Sequence, residues 1–129
     1  NNSVLHYHIA MVNFAQNRIE EALERVNHAV ALCETNNMAI FLKARCLYFL
    51  GKQEESLEVL VALNERAPKQ SRIYYAMGRL YKRLGKTTEA VKSLSIALDL
   101  DVQSSNVIKL ALDRVEKEDD TNDDFFDIP

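Results

Sequence analysis

The stretch from Ser71 to Ser104 reads SRIYYAMGRLYKRLGKTTEAVKSLSIALDLDVQS, and its spacing decides the fold. Tyr74, Met77-Gly78 and Tyr81 set a large, a large-small and an aromatic position on a first segment; Ala90, Leu94 and Ala97 set small, large and small positions on a second. Both spacings are three or four residues, the period of one helix face, and Leu84-Gly85-Lys86 interrupts them. The stretch predicts two antiparallel helices joined by a short turn.

Working outward, the same arrangement recurs with a period of 34 residues: Gly51 and Gly85 are one period apart, as are Pro68 and Val102. Three units follow without insertion, at residues 3–36, 37–70 and 71–104. In the second unit the slots hold Ile40, Lys43-Ala44, Leu47, Ser56, Leu60 and Leu63; in the first they hold His6, Ile9-Ala10, Asn13, Ala22, Val26 and Ala29. The sizes have a physical cause. Two helices approach closely only where a small side chain meets the partner's backbone, so Gly78, Ala44 and Ala10 face Ala90, Ser56 and Ala22 while the large residues fill the groove between. Gln16-Asn17-Arg18, Leu50-Gly51-Lys52 and Leu84-Gly85-Lys86 make the turns, with Asn or Gly taking the left-handed position.

The helices are expected over Val4–Gln16, Glu20–Cys33, Met38–Leu50, Glu54–Arg66, Arg72–Leu84 and Thr88–Leu100. A seventh, N-capped by Ser104-Ser105 and spanning 105–118, carries Val107, Ile108, Ala111, Leu112 and Val115 as an apolar stripe that caps the last hairpin. Nothing comparable precedes Ser3, so the front of the first hairpin is expected to stack on further repeats of a longer protein. Residues 119–129 form an acidic tail without a helical apolar stripe.

Composition agrees. Only three Gly and two Pro in 129 residues leave few places to turn, which favours long helices and an all-α class. The formal charge of −3 conceals a mildly basic body and an acidic end, and neither reaches the one-sided basic charge of a nucleic-acid binder. Two cysteines, Cys33 and Cys46, make no disulfide framework and point to a reducing, intracellular setting. No apolar run approaches the roughly 20 residues needed to span a bilayer.

The repeat resembles the tetratricopeptide repeat (TPR), whose pattern is large, large-small, aromatic, then small, large, small over 34 residues. The resemblance implies an all-α TPR α-solenoid, a right-handed superhelix of three helix-turn-helix hairpins plus the capping helix. Its first helices line a concave groove, which here would be contributed by Tyr7, Met11, Phe41, Arg45, Tyr48, Arg72, Tyr75, Arg79 and Arg83, with Val4, Phe14, Ala15, Met38, Phe49 and Lys82 at neighbouring positions. Such a groove grades from apolar and aromatic to basic. Aromatic and Arg side chains are good anchors for a peptide.

More specifically, Tyr74 to Gly85, Ala97-Leu98-Asp99-Leu100-Asp101, Val4-Leu5, His8-Ile9, Asn27, Ala29, Pro68-Lys69 and Asn106-Val107-Ile108-Lys109 are similar to the C-terminal TPR array of the cell-division-cycle twenty-seven (BimA or Nuc2 type) subunit of the anaphase-promoting complex. Cys33-Glu34 stands where that family commonly has Asp-Pro, and Val102 where Pro is usual. The resemblance implies a scaffold subunit of a ubiquitin ligase acting in cell-cycle control, nuclear and cytoplasmic. It implies dimerisation through an N-terminal half absent here, and capture of activator tails ending in Ile-Arg by repeats that mostly precede these.

Other chemistries fare worse. A free-standing adaptor for a short, acidic peptide is the competing reading. The chaperone-tail clamp needs Lys and Asn where Tyr7, Met11 and Leu42 stand, and only Arg72 fits it. His6 and His8 are two apart on a helix and point to different faces, and no Cys-x-x-Cys pair exists, so no metal is expected. No nucleophile elbow, P-loop or dinucleotide glycine pattern is present, so neither an enzyme nor a cofactor is expected. In the tail, Asp123-Asp124-Phe125-Phe126-Asp127-Ile128 reads as a solubilising end, a docking motif or an intramolecular competitor.

Overall fold

A computed structural model describes residues 2–101 and 105–116. They form seven α-helices: α1 (Asn2–Ala15), α2 (Ile19–Leu32), α3 (Asn37–Phe49), α4 (Gln53–Arg66), α5 (Ser71–Arg83), α6 (Thr87–Leu100) and α7 (Ser105–Glu116). Starts fall one or two residues before the expected ones and ends mostly one before, because the first orphan N–H groups already lie in the helical turn. No described helix is long and apolar enough to cross a membrane. The Ser104-Ser105 cap, the side chain of Val115, residues 117–118 of the expected capping helix and the acidic tail lie outside the described residues.

The three helix-to-helix turns share one geometry. Asn17, Gly51 and Gly85 have φ of 64°, 83° and 79°, the left-handed region. Each turn closes with the same two bonds. Arg18, Lys52 and Lys86 donate their N–H to Asn13, Leu47 and Tyr81 at 2.8 Å, and Asn17, Gly51 and Gly85 donate to Phe14, Tyr48 and Lys82 at 3.0 Å. This is the Schellman arrangement, which satisfies the last carbonyls of the first helix and reverses the chain. A fourth left-handed residue, Lys69 (φ 67°), follows Pro68 after α4 and carries no glycine-like signal in the sequence.

The molecule divides into two compact units, residues 1–63 and 64–129, with α4 running from the first into the second. In the first, α1 pairs with α2, α2 packs on α3, and α1 touches α3. Ala10, Ala22, Val26, Leu42 and Cys46 are its buried centre, with Tyr7, Phe14, Ile19, Leu23 and Val30 packed around them. Ser3 donates to the Ala29 carbonyl at 2.8 Å and accepts from Asn36 Nδ2 at 3.0 Å, while Asn36 Oδ1 accepts from the Ala39 N–H at 3.2 Å. One relay thus ties the starts of α1 and α3 to the end of α2, with Asn36 as the N-cap of α3. Ser56, buried on α4, donates to the Ala44 carbonyl of α3 at 2.7 Å.

In the second unit α5 pairs with α6, and α7 packs on both. Gly78 shows why a small residue is needed there: a Cβ at that position would lie 2.6 Å from Leu94 Cγ and 3.2 Å from the Ala90 carbonyl oxygen. Ser71 donates to the Ala97 carbonyl at 3.0 Å, two periods on from the Ser3–Ala29 bond. On α7, Ile108 and Ala111 are buried, while Leu110 on the other face is half exposed. Burying Ile108 contributes about 1.5–3 kcal/mol to holding α7 in place.

Candidate functional site

The groove residues expected from the repeat are contributed by α1, α3 and α5, and their settings differ. On α1, Tyr7 is half-buried and Met11 is 44% exposed; on α3, Phe41 and Tyr48 are buried and Arg45 is half-buried. Along α5, Arg72 is exposed, Arg83 is half-buried, and Tyr75 and Arg79 are only 3% and 4% exposed.

Within the first unit an aromatic patch joins α1 to α3. The Phe14 and Phe49 rings meet edge-on at 5.5 Å, Phe49 meets Tyr48 at 5.0 Å, and the Arg45 guanidinium lies 4.6 Å above the Phe14 ring. Arg45 is thereby steered by cation–π attraction rather than left to sample solvent. Met11, three residues before Phe14, is 44% exposed, and Val4 and Met38, near the starts of α1 and α3, are 45% and 62% exposed, so both helices present further apolar surface.

Within the second unit, Arg79 donates from Nη1 to the Tyr75 hydroxyl at 2.9 Å, one helical turn away, with the guanidinium 5.8 Å from the Tyr75 ring. Buried charge is tolerated only when hydrogen-bonded, and this pair does so inside α5. Arg72, Tyr75, Arg79 and Arg83 recur at spacings of three and four and share one face of the helix. That face is basic.

A different feature lies on the first hairpin. His6, Ile9 and Asn13 of α1 and Glu21, Glu24, Arg25 and His28 of α2 line a depression of ≈500 Å³. The His6 and His28 rings stack at 5.6 Å, and Arg25 Nη1 donates to His6 Nδ1 at 3.3 Å, which keeps that nitrogen as an acceptor. The sequence reading weighs the histidines only as metal ligands, not as a stacked pair. The signal was in the repeat: His6 and Asn13 fill slots that hold Ile40 and Leu47, then Tyr74 and Tyr81, in the later units. The larger depression, ≈580 Å³, runs along α6 past Val91, Lys92 and Ile96, away from the expected groove positions.

Among the described residues no three His, Cys, Asp or Glu side chains are grouped to hold a metal ion. The two thiols differ. A hydrogen bond with the Thr35 hydroxyl, at 3.3 Å, leads in holding the Cys33 thiol below its usual range, whereas burial pushes Cys46 up to about 11.

Paired helices with small residues at each crossing, glycine-type turns in register and the serine ties define a tetratricopeptide-repeat fold, and the tetratricopeptide-repeat family model matches residues 71–101. The first TPR of Spaghetti (RPAP3), solved bound to an HSP90 peptide, superposes with a TM-score of 0.84 over 91% of this chain and 92% of that one, at 15% identity. That likeness establishes the fold alone. The sequence itself goes further: the chain is a homologue of anaphase-promoting complex subunit 3, also called cell division cycle protein 27. It is 32% identical to the Dictyostelium discoideum subunit 3 over 87% of its length, and 33% identical to the Arabidopsis thaliana cell division cycle protein 27 homolog B over 94%. The chain spans 12% and 16% of those two proteins.

Proposed function

We propose that the chain is a non-catalytic scaffold segment, the C-terminal TPR part of an anaphase-promoting complex subunit, which holds other subunits of that ubiquitin ligase in cell-cycle control. The observation that carries this reading is similarity along most of the chain to proteins of one assembly. Shared membership favours a built-in scaffold over a free-standing adaptor.

In this reading residues 3–36, 37–70 and 71–104 are three repeats, 105–118 closes the array and 119–129 is a tail. Protein partners meet the chain along its first-helix faces: on α1 and α3 through the exposed Met11 and the half-buried Tyr7 and Arg45, backed by the buried Phe41 and Tyr48, and on α5 through the exposed Arg72 and the half-buried Arg83, backed by the buried Tyr75 and Arg79. The parent dimerises through a region outside this chain and takes activator tails mainly through preceding repeats. It works in nucleus and cytoplasm, with no nucleic-acid or membrane ligand.

Affinity purification of the parent protein tests the reading. Wild type is expected to bring down the other subunits of the ligase as a set. Met11→Asp with Met38→Asp, both at exposed positions and so harmless to folding, is expected to lower recovery of that set several-fold at unchanged helicity. Recovery of one chaperone or receptor in place of the set would refute the scaffold.

A further inference from the structure

The 34-residue period lets each side chain of α1 be compared with its counterparts on α3 and α5. Val4 corresponds to Met38 and Arg72, and all three are exposed. Leu5, His8 and Val12 behave differently. Their counterparts are Ala39, Leu42 and Cys46 on α3 and Ile73, Ala76 and Leu80 on α5, and each of these six is 5% exposed or less. On α1 the same slots stand open: Leu5 and Val12 are 57% and 55% exposed, and His8 between them is exposed as well. Spacings of three and four put all three on one face of the helix.

Within the first unit the structure shows what covers such a face. α2 packs on α3, and Leu42 and Cys46 share a buried cluster with Val26 of α2, with Leu23 and Val30 packed against it. The cover is the second helix of the preceding hairpin, so the face left open on α1 has the shape of a site for one more such helix. One position breaks the pattern. Where α3 and α5 bury Leu42 and Ala76, α1 holds His8, whose ring lies 5.4 Å from that of Tyr7. An imidazole always carries at least one N–H, and burying it is costly unless an acceptor meets it. A covering helix has committed its own carbonyls to internal bonds, so the acceptor must come from one of its side chains.

We propose that Leu5, His8 and Val12 form a docking face for an amphipathic α-helix of the parent polypeptide outside these 129 residues, and that this helix presents a side-chain hydrogen-bond acceptor to His8. The sequence expects a neighbour for the first hairpin; the structure adds which side chains meet it and what it must carry. The chain spans 12% and 16% of the two relatives compared above, so a parent of their length supplies the helix within one polypeptide, where tethering favours it over a free partner. Leu5 and Val12 provide the apolar contact and His8 the selectivity, because a purely apolar helix leaves the imidazole unpaired. The inference rests on the chain being a segment of a longer repeat protein, and not on which assembly that protein joins.

The test compares the 129-residue chain with the purified parent, each carrying Val12→Cys, the residue type that α3 has in this slot. N-ethylmaleimide labelling is followed by mass spectrometry of the peptide that contains position 12. The site is expected to react freely in the chain and at least tenfold more slowly in the parent. Adding His8→Leu, which copies Leu42, is expected to leave the helicity of the chain unchanged and to speed labelling in the parent several-fold, since the facing acceptor loses its donor. Adding His8→Gln, which keeps a donor, is expected to restore part of the protection. Equal labelling of chain and parent overturns the proposal. So does protection in the chain itself accompanied by a dimer in sedimentation, which makes the cover a second copy, or protection of the parent only when other proteins are bound. Unchanged or slower labelling in the His8→Leu parent overturns the acceptor. Co-purification of ligase subunits is a separate readout: its failure sinks the scaffold and leaves this contact standing, and the reverse holds as well.

Discussion

At the scale of single residues, Gly78 is the most constrained position. Adding a Cβ puts carbon 2.6 Å from Leu94 Cγ, so α5 and α6 must separate or Leu94 must leave its rotamer. Replacing a helical glycine by alanine ordinarily gains about 0.5–1 kcal/mol, but overpacking costs about 1–3 kcal/mol. Gly78→Ala is therefore expected to be destabilising in urea unfolding. Gly51→Ala meets nothing within 4 Å yet must hold φ at +83°, so it should destabilise through backbone strain alone, by about 1 kcal/mol. The thiols make a second residue-scale test. Cys46 stays protonated to well above neutral pH because burial penalises its thiolate, and Cys33 ionises earlier because Thr35 stabilises its charge. Iodoacetamide at pH 8 is expected to label Cys33 in the native chain and Cys46 only after denaturation; early labelling of Cys46 would contradict the packing of α3.

At the scale of elements, the repeat was legible because it is written in side-chain size. Small residues at 10, 44 and 78 opposite 22, 56 and 90, and turn residues at 17, 51 and 85, leave one way to pair consecutive helices. All six of those small residues are buried, and all three turn residues take positive φ. What the sequence did not disclose depends on contacts between distant residues of the chain. The relay from Asn36 through Ser3 to Ala29 joins residues 33 and 26 apart, and composition has no signature for it. The same holds for the burial of Tyr75 and Arg79: helical spacing assigns them a face, but only the packed structure says how much of that face is covered. Ser3→Ala removes a buried donor and leaves Asn36 Nδ2 without this acceptor, so a loss of about 1–3 kcal/mol is expected in thermal or urea unfolding. On α7, Ile108→Asn buries an amide with no partner and should detach the helix from α5 and α6. Hydrogen exchange would report this as early loss of protection in residues 105–116 while α1 to α3 stay protected.

At the scale of the molecule, function is carried by surfaces. The described residues present apolar and aromatic groups on α1 and α3, basic groups on α5, and polar groups around the stacked His6 and His28 on the first hairpin. Three faces of different chemistry suit a chain held by several neighbours more than one built around a single ligand. The stacked histidines were hidden from residue-by-residue reading because two residues 22 apart meet only when α1 and α2 pair. In the scaffold reading proposed above, those neighbours are other subunits of the ligase to whose subunit 3 the chain is similar.

Cross-linking mass spectrometry on the affinity-purified parent, with an amine-reactive reagent, tests this most directly. Lys43, Lys52, Lys69, Lys86, Lys92 and Lys109 sample α3, the turns and α6 to α7. The scaffold account predicts cross-links from several of them to at least two other subunits of the anaphase-promoting complex. Cross-links confined to the chain itself, or running only to proteins outside that complex, would contradict it.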